Sequence, residues 1–440
     1  MTASKPNILY LHSHDTGRYI QPYGHAIPTP KLQKFAEEGV LFRQAFTVNP
    51  TCSPSRAALV TGCWPHENGM LGLAHRGFSL NDYGQHIIHR RKEAGYSSTL
   101  CGVQHVASHQ EGEPWQKIGY DQAIPGHEKA VESVNEFFAS QKDNDQPFFL
   151  AVGFGPTHRD FPPLEECPDN PNYCLPPAPL PDTPETRIDM ARYKACARIL
   201  DDWMGGVLEA LDTHGLAENT LVILTTDHGI AFPRMKCNLQ DSGTGIMLMM
   251  RGPGGFEGGK VVDAMVTHMD IFPTICDIVG IDRPDYLRGE SLAPLVNGST
   301  DEIHEALFFE VNYHAAYEPM RAVRTQRYKY IKRYDKRTAP VLPNCDDGES
   351  KQLWMDNGWK NRQPAQAALY DLIFDPNEMD NRIDDPDLAE VVQCLENQLQ
   401  KWMEETNDPL LEDDHVPAPK GAKVNNADGN SPKEAPEIIE

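Results

Sequence analysis

The sequence predicts an α/β protein: a layered domain in the N-terminal two thirds, followed by a smaller α+β unit. Short apolar runs alternate with helical patterns along the first part of the chain. Four of those runs stop at clusters of histidine, aspartate or threonine, and from about residue 302 the pattern changes to closely spaced strand-like runs. The 440 residues leave room for two or three domains with a sizeable core, and 40% hydrophobic with 24% charged residues is a globular balance.

Taken in order, Ile8-Leu9-Tyr10-Leu11 reads as a buried strand ending at His12-Ser13-His14-Asp15. Thr29-Pro30 then opens a helix as N-cap and first-turn proline, with Leu32, Phe35 and Ala36 on one face, and Gly39 closes it. A second strand over 96–101 runs into Gly102-Val103-Gln104-His105, and a third over 148–154 runs into Gly155-Pro156-Thr157-His158. Residues 161–184 are too proline-rich for regular structure. Met190, Tyr193, Ala197, Leu200, Met204, Val207 and Leu211 then recur at helical steps, and a fourth strand over 220–226 stops at Asp227-His228-Gly229. Ligands of open α/β sheets bind beyond the carboxyl ends of the strands, so these four clusters are expected to converge. Four unrelated polar loops are the alternative.

Beyond residue 302, strands are expected over 306–312, 321–324 and 328–334, with an amphipathic helix over 388–402. This divides the chain into a catalytic domain at 1–301, an α+β subdomain at 302–411 and a polar tail at 412–440, disordered alone or draped on a neighbour. The net charge of −24 repels phosphate backbones and anionic lipids, which excludes nucleic-acid binding and a membrane-surface role. No run is long and apolar enough to span a bilayer, and residues 1–6 show neither a basic n-region nor a cleavage pattern, so a cytoplasmic location is expected. Ten cysteines are ordinary usage for this length, not a disulfide framework.

The densest stretch is Thr51-Cys52-Ser53-Pro54-Ser55-Arg56-Ala57-Ala58-Leu59-Val60-Thr61-Gly62. Pro54 suits the first turn of a helix, which would place Cys52 at its positive end and Arg56 one turn inside, reaching back. That setting favours an anion or an ionised nucleophile, although a buried cysteine before a helix would read the same way. The whole string resembles the maturation signature of the type I sulfatases, Cys-x-Pro-x-Arg followed by Thr-Gly. The resemblance runs through nearly the whole chain and is nearest to the heparan N-sulfatase (sulfamidase) branch, on the stretches 52–73, 220–238 and 368–408.

That resemblance implies an alkaline-phosphatase-like sandwich, with a large mixed sheet between helices and a short antiparallel sheet in the C-terminal unit. It implies hydrolysis of a sulfate ester or sulfamate through formylglycine made from Cys52 by a formylglycine-generating or anaerobic sulfatase-maturating enzyme. In its hydrate one hydroxyl attacks sulfur in line, and the other then expels sulfate by re-forming the aldehyde. Asp15, Asp227 and His228, with His14 beside them, match the metal ligands. Arg56 matches the cation that orients the nucleophile, His105 the partner of the hydrated aldehyde, His158 the leaving-group acid and Lys236 the sulfate clamp.

Three positions depart from the family pattern. His14-Asp15 stands where most sulfatases have two acids, Asp227-His228 where many have Asp-Asn or Asp-Gln, and Gly102-Val103-Gln104-His105 where the family has Gly-Lys-x-His. The lysine that helps bind sulfate is therefore absent. Calcium is the metal the resemblance implies, whereas imidazole ligands suit manganese or zinc. Asp-His at the second metal position also occurs in phosphonate monoester and phosphodiester hydrolases of the superfamily, which stand as the alternative function; a sulfosugar-binding pseudoenzyme is a third. His66, His75, Arg76, His314 and Arg321 are candidate contacts to a small sulfated saccharide, each with a surface-polar alternative. A homo-oligomer is left open.

Overall fold

The computed structural model describes residues 5–109, 112–142 and 144–440. The lead expected at residues 1–6 lies outside the described residues as far as residue 4. Eight strands form one large sheet: β1 (Asn7–His12), β2 (Val40–Phe46), β3 (Ser97–Gly102), β4 (Gln122–Ile124), β5 (Phe148–Gly153), β6 (Thr220–Thr225), β7 (Leu248–Arg251) and β8 (Lys260–Thr267). Their order is β4-β3-β5-β1-β6-β7-β2-β8, and all run in one direction except β7, which pairs antiparallel with both β6 and β2. The sheet is therefore mixed, and the carboxyl ends of β3, β5, β1 and β6 stand side by side.

Strands buried on both faces need apolar residues at every position rather than at alternate ones. β1 meets this need: Ile8 and Tyr10 join the core on one face, with Phe149, Ile223 and Phe42, while Leu9 and Leu11 join the other, with Leu150, Leu224 and Met249. Each such side chain contributes roughly 2 kcal/mol by leaving water. The helix α1 (Pro30–Glu38) begins after Thr29 as expected, although the Thr29 hydroxyl accepts from Gln21 N rather than capping α1. The helix Pro184–Thr213 carries the expected apolar face. β2, β4, β7 and β8 had no counterpart in the sequence reading, since β4 and β7 are three and four residues long and β2 follows α1 directly.

The C-terminal unit holds β9 (Leu307–Tyr313), β10 (Tyr317–Arg324), β11 (Tyr328–Arg333) and β12 (Ala367–Asp371), all antiparallel in the order β12-β11-β10-β9. One face packs Val323, Tyr330 and Leu369 under Leu395, Leu399 and Trp402 of the helix Ala389–Glu405. The other packs Phe309, Val311 and Ala322 on Phe46, Leu239 and Met265 of the large domain. Residues 412–440 lie on their own chain: Val416 and Ala422 are buried, and β13 (Lys423–Val424) pairs with β14 (Glu437–Ile438). All ten cysteines are free, and among the described residues no helix is long and apolar enough to cross a membrane.

Candidate active site

The helix α2 (Cys52–Thr61) carries the signature stretch, with Thr51 as N-cap and Cys52 as its first residue, almost wholly buried. Gly62 ends it at φ 67°, a left-handed position that favours glycine, and a Cβ there would lie 2.4 Å from Leu287 Cδ2. Burial pushes the Cys52 thiol well above its ordinary pKa, although the nearby Lys236 charge works the other way. As a thiol, Cys52 is a poor nucleophile in this setting.

Around Cys52 Sγ stand the ends of β1 and β6. His228 Nε2 lies 3.3 Å from the sulfur, 3.4 Å from Asp15 Oδ1 and 3.7 Å from Asp227 Oδ2. His14 Nδ1 lies 3.2 Å from Asp227 Oδ2, and donor atoms of His14, Asp15, Cys52 and Asp227 all fall within 4.8 Å of one another. Asp15 and His105 both hold positive φ, 52° and 59°, which turns the chain sharply out of β1 and β3.

Hydrogen bonding shows what this cluster lacks. Asp227 Oδ1 accepts from the Asp15 and His228 backbone amides, at 2.8 and 3.0 Å, and Oδ2 accepts from Arg56 Nη2 at 2.9 Å. Asp15 Oδ2 takes Lys236 Nζ at 2.9 Å, but the buried Asp15 Oδ1 has no hydrogen-bond partner. The Gly229 carbonyl, 3.0 Å from His228 Nδ1, places the His228 proton on that nitrogen, so the Nε2 lone pair faces the two carboxylates. Arg56 and Lys236 take up one oxygen of each carboxylate, but the buried Asp15 Oδ1 and His14 Nδ1 stay without a partner, and a cluster of His14, Asp15 and Asp227 with His228 beside it fits a divalent metal.

The remaining expected residues divide in two. His105, His14 and Cys52 present donor atoms within 4.8 Å, and His105 Nε2 lies 3.0 Å from His75 Nδ1. Burial, then the neighbouring His14 and His75 charges, holds His105 well below the ordinary histidine range, and burial followed by Arg76 holds His75 at about 4. His158 stands about 40% exposed, with Nε2 4.0 Å from Asp15 Oδ2. Lys236 Nζ bridges Asp15 Oδ2 and Asp346 Oδ2, both at 2.9 Å; burial opposes its charge, but the two carboxylates prevail and raise its pKa well above the usual value. His314 is buried near Lys236, and burial and that charge hold it neutral. Gln104 caps its own turn, accepting from Val106 N and Ala107 N, and does not stand in for the absent lysine.

Three expectations need correction. Arg56 reaches Asp227, the Ser13 carbonyl and His12 Nδ1 rather than the thiol, so it fixes the carboxylate that faces Cys52. His66 and Arg321 are not substrate contacts. They lie in a separate buried network, in which His66 Nδ1 pairs with Glu310 Oε2 at 2.8 Å and Arg321 binds Asp408 through Nε and Nη2 at 2.5 and 2.9 Å. Arg76 borders the site but is occupied by the C-terminal segment, with Nη1 2.7 Å from Asn425 Oδ1. Arg321→Leu is expected to lower stability by about 3–5 kcal/mol by leaving Asp408 and Glu310 buried without their cation, with KM unchanged in the folded fraction. Denaturant unfolding and steady-state kinetics measured together check this.

Asp346, His12 and His268 were not anticipated. Asp346 sits in an irregular loop after β11 with no strand-end cue, and burial opposes its charge, but Lys236 holds its carboxyl far below the ordinary range. His268 follows β8 and contacts Ser55 Oγ at 3.3 Å, so recognising β8 as a strand would have exposed it.

Comparison with known proteins accords with this geometry. The sulfatase family model matches residues 6–281, and the model of the N-sulphoglucosamine sulphohydrolase C-terminal region matches residues 235–361. The chain is 29% identical over 465 residues to the human N-sulphoglucosamine sulphohydrolase, covering 92% of this chain and 91% of that protein. It is 28% identical over 427 residues to the Delta 4,5-hexuronate-2-O-sulfatase of Bacteroides thetaiotaomicron, covering 83% and 88%. A solved structure from Bacteroides thetaiotaomicron, of a protein of multiple-glycosaminoglycan metabolism, shares the fold with a TM-score of 0.74 at 21% identity, covering 93% and 98%. The family match spans more than half the chain and holds the cysteine, the strand-end carboxylates and the histidines of one pocket: this protein belongs to the sulfatase family, on its N-sulphoglucosamine sulphohydrolase side, and is a sulfuric ester hydrolase.

Proposed function

We propose that the protein hydrolyses a sulfate ester or sulfamate on a small sulfated saccharide, using formylglycine made from Cys52 and one divalent metal. The observation that carries this reading is the position of Cys52, at the head of α2 with His228 Nε2 3.3 Å from its sulfur and the unpartnered Asp15 Oδ1 and His14 Nδ1 in the same cluster. When bound, the matured residue supplies the nucleophile, and the metal supplies charge that neutralises sulfate oxygens and lowers the pKa of a hydroxyl.

The protein's own groups do the rest. Lys236, kept charged by Asp15 and Asp346, offers a fixed ammonium to the sulfate. Neutral His105, backed by His75, is free to accept a hydrogen bond from the hydroxyl at position 52. His158 sits at the open side of the cluster, where it can donate the proton that the leaving oxygen or nitrogen requires. The imidazoles of His14 and His228 support a transition metal such as manganese or zinc over calcium. Saccharide substrates are supported by the names of the relatives, and the unpaired state of the cysteines other than Cys52 supports a reducing, cytoplasmic setting.

The test is turnover of N-sulfoglucosamine, O-sulfated glucosamine and a phosphodiester side by side, with the mass of the Cys52 peptide and the metal content measured on the same preparation. Release of sulfate together with an aldehyde mass is the expected result. Faster phosphodiester cleavage by orders of magnitude overturns the sulfatase substrate, and sugar binding without turnover by fully matured protein overturns the catalytic reading. Removing the metal with a chelator is expected to lower kcat by about 10³-fold or more, since the ion contributes several kcal/mol of charge stabilisation. Asp15→Asn is expected to lower the metal content itself, read by elemental analysis.

A further inference from the structure

Away from the catalytic pocket the chain forms another cleft, of about 470 Å³, which none of the strand-end residues lines. Its floor is the face of the C-terminal sheet that packs on the large domain, at Met320, Ile331 and Ala368, with Leu239 beside them. Trp354, in the helix Glu349–Asp356, and Trp359, in the short turn after it, form part of the wall. Their rings stand 5.1 Å apart and nearly perpendicular, at 81°. A neighbouring hollow of about 390 Å³, with Pro181 and Thr183 in its lining, shares both indoles and Arg362, so the two rings stand between two cavities. Both volumes lie in the range of sites that hold small ligands. The cleft that reaches the catalytic histidines, lined by His75, His105 and Trp115, shares no residue with either.

The charges of the larger cleft are not balanced within the protein. Three arginines and one acid line it. Arg333 is neutralised by Glu318 Oε1 at 2.9 Å and Asp335 Oδ2 at 2.8 Å. Arg234 donates to the Glu378 carbonyl at 2.8 Å and lies 3.0 Å from Met379 Sδ, and neither group carries charge. Arg362 is exposed, and its guanidinium has no hydrogen bond or ion pair among the described residues. In a protein of net charge −24, two guanidiniums without a carboxylate in one cleft make a local site for an anion. Guanidinium forks bind sulfate and carboxylate oxygens in pairs, and an indole face packs the C–H face of a sugar ring.

We propose that the cleft between Arg234, Arg362 and the Trp354–Trp359 pair is a second binding site for an anionic saccharide, separate from the catalytic pocket. The ligand class rests on the saccharide reading above. The site itself rests on the unpaired guanidiniums and the indole pair. Sulfate or carboxylate groups of the sugar meet Arg234 and Arg362, and its rings lie against the indoles.

The test uses the full-length Cys52→Ala protein, which does not turn the sugar over. The indole N–H signals of Trp115, Trp354 and Trp359 are followed by NMR after assignment by single Trp→Phe substitutions. The probes are a hexasaccharide of alternating uronate and sulfated glucosamine, its desulfated and carboxyl-reduced form, and sodium sulfate. The sulfated hexasaccharide is expected to shift the Trp354 and Trp359 signals saturably, and the uncharged form to bind at least tenfold more weakly. Arg362→Gln and, separately, Arg234→Gln are expected to weaken the titration read at Trp354 at least fivefold while the one read at Trp115 stays within twofold. Arg362 holds no other group in place, so its variant keeps the fold, and its matured form is expected to hydrolyse a sulfated monosaccharide within twofold of the parent rate. No shift at either indole overturns the proposal, as does an affinity within twofold of the parent's in both arginine variants. Equal binding of the uncharged sugar overturns the anionic class, and sodium sulfate binding as tightly as the hexasaccharide overturns the saccharide. If both indoles titrate as expected while matured parent enzyme releases no sulfate from any sulfated sugar, the function proposed above has failed and the second site stands.

Discussion

Cys52→Ala is expected to reduce sulfate release by about 10⁵-fold or more, to the background left when a covalent nucleophile is removed from an otherwise intact site. The effect is this large because nothing else in the pocket can take the role. Among the groups around position 52, His14, His105 and His228 are imidazoles, Asp15 and Asp227 are engaged carboxylates, and Lys236 is locked between two acids. Stability is expected to change by only about 1 kcal/mol, since the substitution removes one sulfur from a helix terminus whose other contacts remain. Sulfate release by ion chromatography, set beside the melting curve and the loss of hydrazide capture at the Cys52 peptide, checks the prediction. A variant retaining a hundredth of the parent rate would move the nucleophile elsewhere.

Lys236→Met is expected to lower kcat/KM by about 10²–10³-fold, the usual loss when one charged donor to a developing anion is removed. A second loss accompanies it. Lys236 Nζ lies 2.9 Å from both Asp15 Oδ2 and Asp346 Oδ2, and without it two buried carboxylates face each other. Breaking a buried pair in this way costs about 3–5 kcal/mol. The Asp346 carboxyl, held far below the ordinary range chiefly by Lys236 against its own burial, is then expected to rise and take up a proton. Kinetics and thermal unfolding, each followed against pH, separate the two losses. A double variant Lys236→Met/Asp346→Asn is expected to recover stability but not rate, and recovery of rate would mean that Lys236 only balances charge.

How far the site was legible in the sequence depended on how local each cue was. Asp15, His105, His158, Asp227 and His228 each follow an apolar run that is a strand, and the strand order places those ends side by side. Cys52 lies in a contiguous string with a helix start of its own. Asp346 had neither kind of cue, because its role comes from a 2.9 Å contact with Lys236, 110 residues earlier in the chain. His66 and Arg321 show the converse. Their residue types suit an anionic sugar, yet Glu310 and Asp408 take them up inside the protein, the latter from 87 residues away. Composition alone cannot tell a basic side chain that meets substrate from one that meets the protein's own acids. The polar residues after 412 read as a tail, disordered alone or draped on a neighbour, and this segment with few apolar anchors is held here by Asn425 and Arg76.

The sequence by itself determined the family and the α/β class, and pointed to Cys52 and the strand-end carboxylates as candidates, because those depend on contiguous residues and on the period of apolar positions. Only the tertiary structure decided which charges are paired with one another, which lone pairs are left facing each other for a metal, and where the last 30 or so residues lie. Charge interaction falls with distance through space and strengthens with burial, and neither quantity is written along the chain.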